Sequence, residues 1–436
     1  MKASFFLVSL LFSEALLFPG FKPWYNYYNF AYGTRALSLG NAFTAKADDL
    51  TAIYWNPAGI VQTPSAQFYL SYRSDSLRLH EVQDHGSGAD AQTFDYQLEH
   101  RLNQIDFFSI CLPARLWNRQ WGFAFSYYRY IPYGFSGMSE SILSTNSHFV
   151  ILNRSVIISK GSEGMDAFGF TAAMKLHESL SLGITVQQLF NSGIQQLQYG
   201  PLDPANYDQY IERLGGRNLI LGILFHPVRP VTVGFSFHSA IRGQLTSTYL
   251  FWSTDAAGKR VSQRANESSG GINIPEHFSV GLAVRPAAFL SLYYEYAAIP
   301  WEKGSLSQYY GSQGAVPFPL KSDFNFKQKD SASNRFGVES RLHYKTKLIF
   351  LRGGWSRERQ LYVDNHLQQV TLQALSMGIG IELYSYMLVE FAYQHQRGNW
   401  SEDGYSPWGG DIPARYTADV FRFSVTYNFS RIFQGD

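Results

Sequence analysis

The chain has little of what most soluble proteins of its length contain. Of its 436 residues only 16% are charged, one is a cysteine (Cys111), and the formal net charge at pH 7 is +2. A single cysteine excludes a disulfide framework within the chain and argues against a cysteine-based metal site. Because the net charge is near zero and no basic block occurs, the composition gives no reason to expect a nucleic-acid partner.

The sequence also lacks a long hydrophobic run. After the N-terminal region, no stretch of about 18 apolar residues occurs, so no transmembrane helix is predicted. The apolar run FFLVSLLF at residues 5–12 follows Lys2, which predicts a signal peptide over residues 1–20, cleaved between Ala15 and about Gly20. A buried N-terminal strand is the alternative. An exported chain without membrane-spanning helices can cross a bilayer only as a closed β-barrel.

What the sequence does contain is alternation, together with 17% aromatic residues. From residue 64 to residue 436, apolar side chains alternate with polar or small ones in segments of about ten residues, as in Leu180 to Val186. About 14 segments are joined by connections that are alternately short and long, a rhythm typical of outer-membrane barrels. A soluble propeller would need a blade repeat, and the sequence shows none. We therefore predict an all-β membrane protein, an antiparallel barrel of about 14 strands in the bacterial outer membrane.

The long connections are predicted to lie outside the cell and the short turns in the periplasm. Residues 149–159 are apolar enough for a strand, but we interpret them as an excursion of a loop. Aromatic residues of the long connections are candidates for contact with an apolar ligand, although packing within the loops or an interfacial aromatic girdle is the alternative. These candidates are Phe190, Tyr199, Phe251 and Trp252.

The segment before the barrel, residues 21–63, reads differently from the rest. Residues 36–60 show a helical pattern in which Asp48 and Asp49 are placed to cap a second short helix from Leu50. A proline and a glycine then end the helical pattern. An ordinary capped helix of a soluble domain is the alternative. Because an empty barrel of about 14 strands would conduct water, we interpret the segment as a helical plug inside the lumen.

Charged residues recur on the face of the later strands that lies opposite the apolar face. On the lipid side each would be costly, so we expect them to face the lumen. Mixed acids and bases favour pairing that supports the wall and the plug, and an ion path is the alternative. The predicted lumen network consists of Glu295, Arg335, Glu339, Arg341, Arg352, Glu382, Glu390 and Arg422.

Two segments resemble a known family. Gly33-Thr34-Arg35-Ala36, Ala47-Asp48-Asp49 and Trp55-Asn56-Pro57-Ala58-Gly59 are similar to the N-terminal hatch signature of the FadL family of hydrophobic-compound transporters. Residues 274–286, IPEHFSVGLAVRP, resemble a second family segment. The resemblance implies a barrel plugged by its N-terminal hatch, with Asn56, Pro57, Ala58 and Gly59 at the gate.

The resemblance also implies a function. Proteins of this family take up long-chain fatty acids or aromatic hydrocarbons passively, so we expect a hydrophobic small molecule as substrate. Outer-membrane lipid, lipopolysaccharide and the barrel-assembly machinery are the other expected partners. Similar hatch motifs occur in barrels of type IX secretion systems, so a protein-binding barrel is the alternative. No Gly-x-Ser-x-Gly elbow occurs, and we expect no enzyme activity, cofactor or metal.

Overall fold

The structure is a computed structural model. It describes residues 32–85, 92–132, 136–145, 148–159, 164–190, 192–198, 207–254, 260–303, 305–310, 329–363, 366–384, 386–403 and 411–429. The predicted signal peptide at residues 1–20 and the candidate Tyr199 lie outside the described residues.

The described residues form one antiparallel sheet of twenty strands, numbered β1–β20 along the chain, and fourteen of these strands close into a ring. The ring closes where β1 pairs with β20, with Gln67 opposite Asn428. The predicted barrel is thereby confirmed. Its wall strands are β1 (Gln67–His85), β2 (Gln92–Leu116), β3 (Arg119–Pro132), β6 (Gly164–His177), β7 (Leu180–Phe190), β9 (Tyr207–Val228), β10 (Val231–His238), β13 (His277–Ala287), β14 (Leu290–Ile299), β16 (Ser331–Tyr344), β17 (Lys347–Val363), β18 (Gln369–Tyr384), β19 (Met387–Asp403) and β20 (Asp411–Asn428).

The remaining six strands belong to connections at the end of the barrel with the long links. They are β4 (Ser136–Thr145), β5 (His148–Ser159), β8 (Ser192–Gln198), β11 (Ile241–Thr254), β12 (Arg260–Ile274) and β15 (Ser305–Tyr310). The prediction that residues 149–159 are a loop is therefore wrong for their secondary structure, because this segment is β5 and pairs with β4. The count of wall strands is unaffected, since β3 pairs directly with β6.

The alternation of the sequence separates the two faces of the wall. On β18 the outward residues Leu375, Met377 and Ile379 are 65%, 61% and 36% exposed, whereas the inward Ala374 and Ser376 are 4% and 8% exposed. Such an apolar outer belt around a closed ring suits a barrel surrounded by lipid. Separately, none of the helices in the described ranges is long and apolar enough to cross a membrane.

Residues 32–63, called the hatch from here on, fill the inside of the ring. They form α1 (Thr34–Ser38), α2 (Ala52–Trp55) and a 3₁₀ helix (Pro57–Gln62). The helical pattern predicted from residue 36 ends sooner than expected, because Gly40 and Asn41 adopt φ angles of 62° and 67° in the left-handed region.

The first testable prediction concerns the outer belt. Replacing Ile379 by Arg should impair barrel assembly, because an arginine at the middle of the lipid face costs about 2–4 kcal/mol. Gln373→Arg is the matched control: Gln373 also points outward from β18 but lies nearer the end with the long connections. We expect heat-modifiable gel mobility to show a reduced folded fraction for Ile379→Arg alone. Equal folded fractions would contradict this orientation of β18.

Candidate functional site

The hatch carries its own buried charges. Arg35 Nη1 lies 2.8 Å from Asp48 Oδ1, and Lys46 Nζ lies 2.9 Å from Asp48 Oδ2. Asp49 was predicted with Asp48 as a helix cap, and it accepts hydrogen bonds from the Thr51 backbone N–H and hydroxyl just before α2. Asp48 has a different role, since it bridges the two cations of the hatch.

Three glutamates of the wall receive this charged side of the hatch. Glu390 Oε1 lies 3.1 Å from Arg35 Nε, and Glu339 Oε1 lies 3.2 Å from Lys46 Nζ. Between them Arg352 reaches both carboxylates, with its Nε 2.8 Å from Glu339 and its Nη1 2.9 Å from Glu390. The contacts form one continuous network from the hatch to β16, β17 and β19.

The third glutamate, Glu295, binds the backbone of the hatch. Its Oε2 accepts the N–H groups of Phe43 and Thr44 at 2.8 and 2.7 Å, while its Oε1 accepts Arg335 Nη1 at 2.8 Å. Arg335 also lies 3.4 Å from Glu358. Because Glu295 is fully buried, these bonds replace the water that its carboxylate would otherwise hold.

The two aspartates of the hatch respond oppositely to their surroundings. Burial acts to raise the pKa of Asp48, but Lys46 and Arg35 outweigh it and hold the pKa well below its usual value. Burial raises the pKa of Asp49 to about 6, because Arg35 lies 4.0 Å away and compensates only partly. Asp48 therefore contributes a firm negative charge to the network.

Five of the eight residues of the predicted lumen network lie together in the structure. Glu295, Arg335, Glu339, Arg352 and Glu390 are buried and joined through the hatch. The other three members lie around this group. Arg341 is partly exposed and contacts Glu339 at 3.2 Å, Arg422 pairs with Asp106 at 3.0 Å in a separate cluster, and Glu382 is half-buried near the short-turn end of β18.

The hatch also packs closely against glycine residues of the wall. At eight wall positions on successive or nearly successive strands, a Cβ atom would come within 2.0 to 2.9 Å of a hatch atom. Glycine alone permits so close an approach of two backbones. These glycines are Gly122, Gly183, Gly222, Gly234, Gly281, Gly337, Gly354 and Gly378.

The predicted gate residues lie in this closely packed part. Asn56 Nδ2 donates to the carbonyls of Thr44 at 2.8 Å and of Ile223 on β9 at 3.0 Å, and its Oδ1 accepts the Ala58 N–H at 3.2 Å. Pro57 opens the 3₁₀ helix, where its missing N–H costs nothing. At Gly59 a Cβ would lie 1.9 Å from the Ala47 carbonyl oxygen. The four-residue gate segment is therefore held by both the wall and the hatch itself.

An aromatic cluster joins the hatch to the wall on the side away from the short turns. Phe107 of β2 stacks on Tyr128 of β3 with ring centroids 5.0 Å apart. Tyr32 packs edge-on against Tyr54 and Tyr128, at 4.4 and 4.9 Å. Tyr128 lies farther along β3 from the turn at residues 117–118 than Gly122, where the hatch is seated. The cluster thus joins the hatch to β2 and β3 on the side of the long connections, and Tyr32, Phe107 and Tyr128 are buried in it.

The candidate aromatic residues of the loops are placed differently from the expectation. Phe190 is the last residue of β7 and stacks on Phe168 of the wall at 4.7 Å. Phe251 and Trp252 belong to strand β11, which pairs with β9 and β12, so the expected loop at these positions is wrong. A role of these residues in ligand binding remains a prediction.

The sequence reasoning missed the partners of the predicted charges and the seat of the hatch. Arg35 and Lys46 were not assigned to the network, because nothing in their spacing shows which wall residues lie beside them. The glycines gave a usable signal. All except Gly354, which follows Gly353, stand at an inward position between outward apolar residues, and they recur along the ring of strands.

Solved structures share this fold at low sequence identity. A Pseudomonas aeruginosa FadL homologue aligns over 91% of this chain and 98% of its own, with a TM-score of 0.61 and 14% identity. The Pseudomonas putida toluene transporter TodX aligns over 92% and 98%, with a TM-score of 0.58 and 14% identity. The Ralstonia pickettii toluene transporter TbuX aligns over 93% and 100%, with a TM-score of 0.54 and 12% identity. No protein-family model and no curated protein matches the sequence.

The close seat of the hatch gives a second testable prediction. In Gly354→Ala the new Cβ would lie 2.0 Å from the Gly40 nitrogen, whereas in the neighbouring Gly353→Ala it would meet atoms no nearer than 3.5 Å. Overpacking of this kind costs about 1–3 kcal/mol. We expect urea titration in detergent micelles to show lower stability for Gly354→Ala only. Equal losses in both variants would show that the hatch does not sit against β17.

The charge network gives a third testable prediction. Glu390→Gln should lower the free energy of unfolding by about 3–5 kcal/mol, since it leaves Arg35 and Arg352 buried without their shared carboxylate. Glu178→Gln is the control, because Glu178 pairs with Lys175 on an exposed turn. The same urea titration measures both variants. Unchanged stability of Glu390→Gln would contradict the pairing.

Proposed function

We propose that this chain is a passive transporter of hydrophobic small molecules in the bacterial outer membrane, with the hatch as its gate. The observation that carries the proposal is the lumen closed by the hatch, whose Tyr32 and Tyr54 pack against Phe107 and Tyr128 of the wall. A closed lumen does not suit a permanently open aqueous pore. A shift of the hatch uncovers these rings, and an apolar solute gains free energy when it leaves water for them.

The attachment of the hatch supports a gate. Residues 35–46 are bound by the carboxylates of β14, β16 and β19, whereas residues 53–61 pack on β3, β6, β7 and β9. The second part has hydrogen bonds such as Thr185 Oγ1 to the Ile53 carbonyl at 3.0 Å and Gln120 Nε2 to the Val61 carbonyl at 2.8 Å, but no ion pair there is seen among the described residues. Movement of this second part would break no buried ion pair.

The solved structures with this fold include two toluene transporters and a FadL homologue. They are consistent with uptake of a fatty acid or of an aromatic hydrocarbon by this chain. We test both substrate classes, because either would bind the aromatic rings that a shift of the hatch uncovers.

The fourth testable prediction is measured as uptake. Cells that express the wild type should take up labelled oleate or labelled toluene faster than cells with an empty vector. Pro57→Ala should change that rate at equal surface level, because Pro57 sets the start of the 3₁₀ helix. Pro64→Ala is the matched control, since Pro64 is exposed just beyond that helix.

Two outcomes would count against the proposal. Equal rates for wild type and empty vector with both solutes would contradict transport. If the wild type in addition co-purifies with a secreted protein, a protein-binding barrel of a secretion system replaces the transporter. Equal rates for wild type and Pro57→Ala would contradict gating by this segment alone.

A further inference from the structure

Arginine side chains project from the outer face of neighbouring wall strands near the end with the long connections. The strands β17, β18, β19, β20, β1 and β2 are consecutive in the ring. All six arginines occupy outward positions and are exposed. They are Arg78, Arg101, Arg357, Arg359, Arg397 and Arg415.

The strand register aligns three of these arginines in one row. Arg357 lies opposite Gln373, which lies opposite Arg397. Arg397 in turn lies opposite Thr417, which lies opposite Arg78. Because neighbouring strands are about 4.8 Å apart, the three arginines follow one another at roughly 10 Å around the barrel. Arg359 and Arg415 stand one outward position farther from the short turns.

The row lies at the upper border of the apolar belt. One outward position nearer the short turns, β18 exposes Leu375, and the next exposes Met377. Farther toward the short turns, β20 exposes Phe421 in the row of Met377, and β19 exposes Phe391 opposite Ile379, both more than half exposed. An amphiphile whose acyl chains cover this belt would therefore place its headgroup at the arginines.

Four of the six arginines have no acidic partner in the described part of the chain. Arg357, Arg359, Arg397 and Arg415 form no ion pair there. On the same face the carboxylate of Asp419 is already bound by the Tyr393 hydroxyl at 2.6 Å and by His395 Nδ1 at 2.9 Å. The guanidinium groups of these four arginines are thus available to an anion from outside the protein.

We propose that Arg357, Arg359, Arg397 and Arg415 bind the phosphate groups of a phosphorylated, acylated glycolipid of the outer leaflet, that is, lipopolysaccharide. Guanidinium binds phosphate through two parallel hydrogen bonds, which favours arginine over lysine at such a site. The acyl chains lie against Leu375, Met377, Phe391 and Phe421. The site is independent of the solute that the barrel carries, because the arginines face away from the lumen.

The test uses the full detergent-solubilised barrel and measures lipopolysaccharide binding by native mass spectrometry. Arg357→Gln with Arg397→Gln should weaken binding roughly thirtyfold, from the usual contribution of each arginine near a charged lipid surface. The same pair changed to Lys should lose less. Arg115→Gln with Arg285→Gln is the control, because these arginines are exposed at the end with the short turns. All variants should fold, as heat-modifiable mobility can verify.

The lipid is varied in the same assay. Dephosphorylated lipopolysaccharide should bind the wild type as weakly as the intact lipid binds the double Gln variant. Inorganic phosphate at the same concentration should not displace the lipid. The proposal is overturned if the double Gln variant binds like the wild type, if the dephosphorylated lipid binds equally well, or if inorganic phosphate displaces the lipid.

Discussion

A closed ring of fourteen strands encloses a space that water would fill, and the carboxylates of the inner wall depend on what occupies that space. Glu295, Glu339 and Glu390 are buried, and each is bound by a group of the hatch. Without the hatch they would lose partners that their burial requires, because an unpaired buried carboxylate is costly. The hatch and the later half of the wall therefore stabilise each other, and the seal of the lumen follows from that pairing.

The two parts of the hatch are held in place by different interactions. Ion pairs fix residues 35–46, and a charge network of this kind resists partial opening, since each broken pair leaves an uncompensated charge. The 3₁₀ helix is held by shape, with Gly183 and Gly222 allowing the backbones to touch. Packing of this kind is lost by small displacements but leaves no buried charge behind. This difference explains why a gate, if it moves, should begin at the 3₁₀ helix.

The residue types on the outside of the barrel follow the layers of the membrane, just as those on the inside follow the contacts with the hatch. Outward positions of β17 to β20 change along each strand from apolar residues such as Ile379 and Phe391 to arginines such as Arg397. The change matches the step from hydrocarbon to phosphate in a membrane leaflet. Inside, the order is different, with ion pairs between the hatch and the later strands, and buried aromatic rings where the hatch meets β2 and β3.

The sequence alone determined the class of the fold, because alternation of apolar residues needs only strand geometry to predict which face meets lipid. It also indicated that Glu295, Arg335, Glu339 and Arg352 face the lumen, since charge on the lipid side is costly. It could not give the register between distant strands, so it did not show that Arg35 meets Glu390 across 355 positions. The strands β5 and β11 were assigned to loops, because a segment such as residues 149–159 is apolar without the alternation that marks a strand of the wall. The tertiary structure decided these contacts, because only closure of the ring brings the hatch, the glycines and the glutamates together.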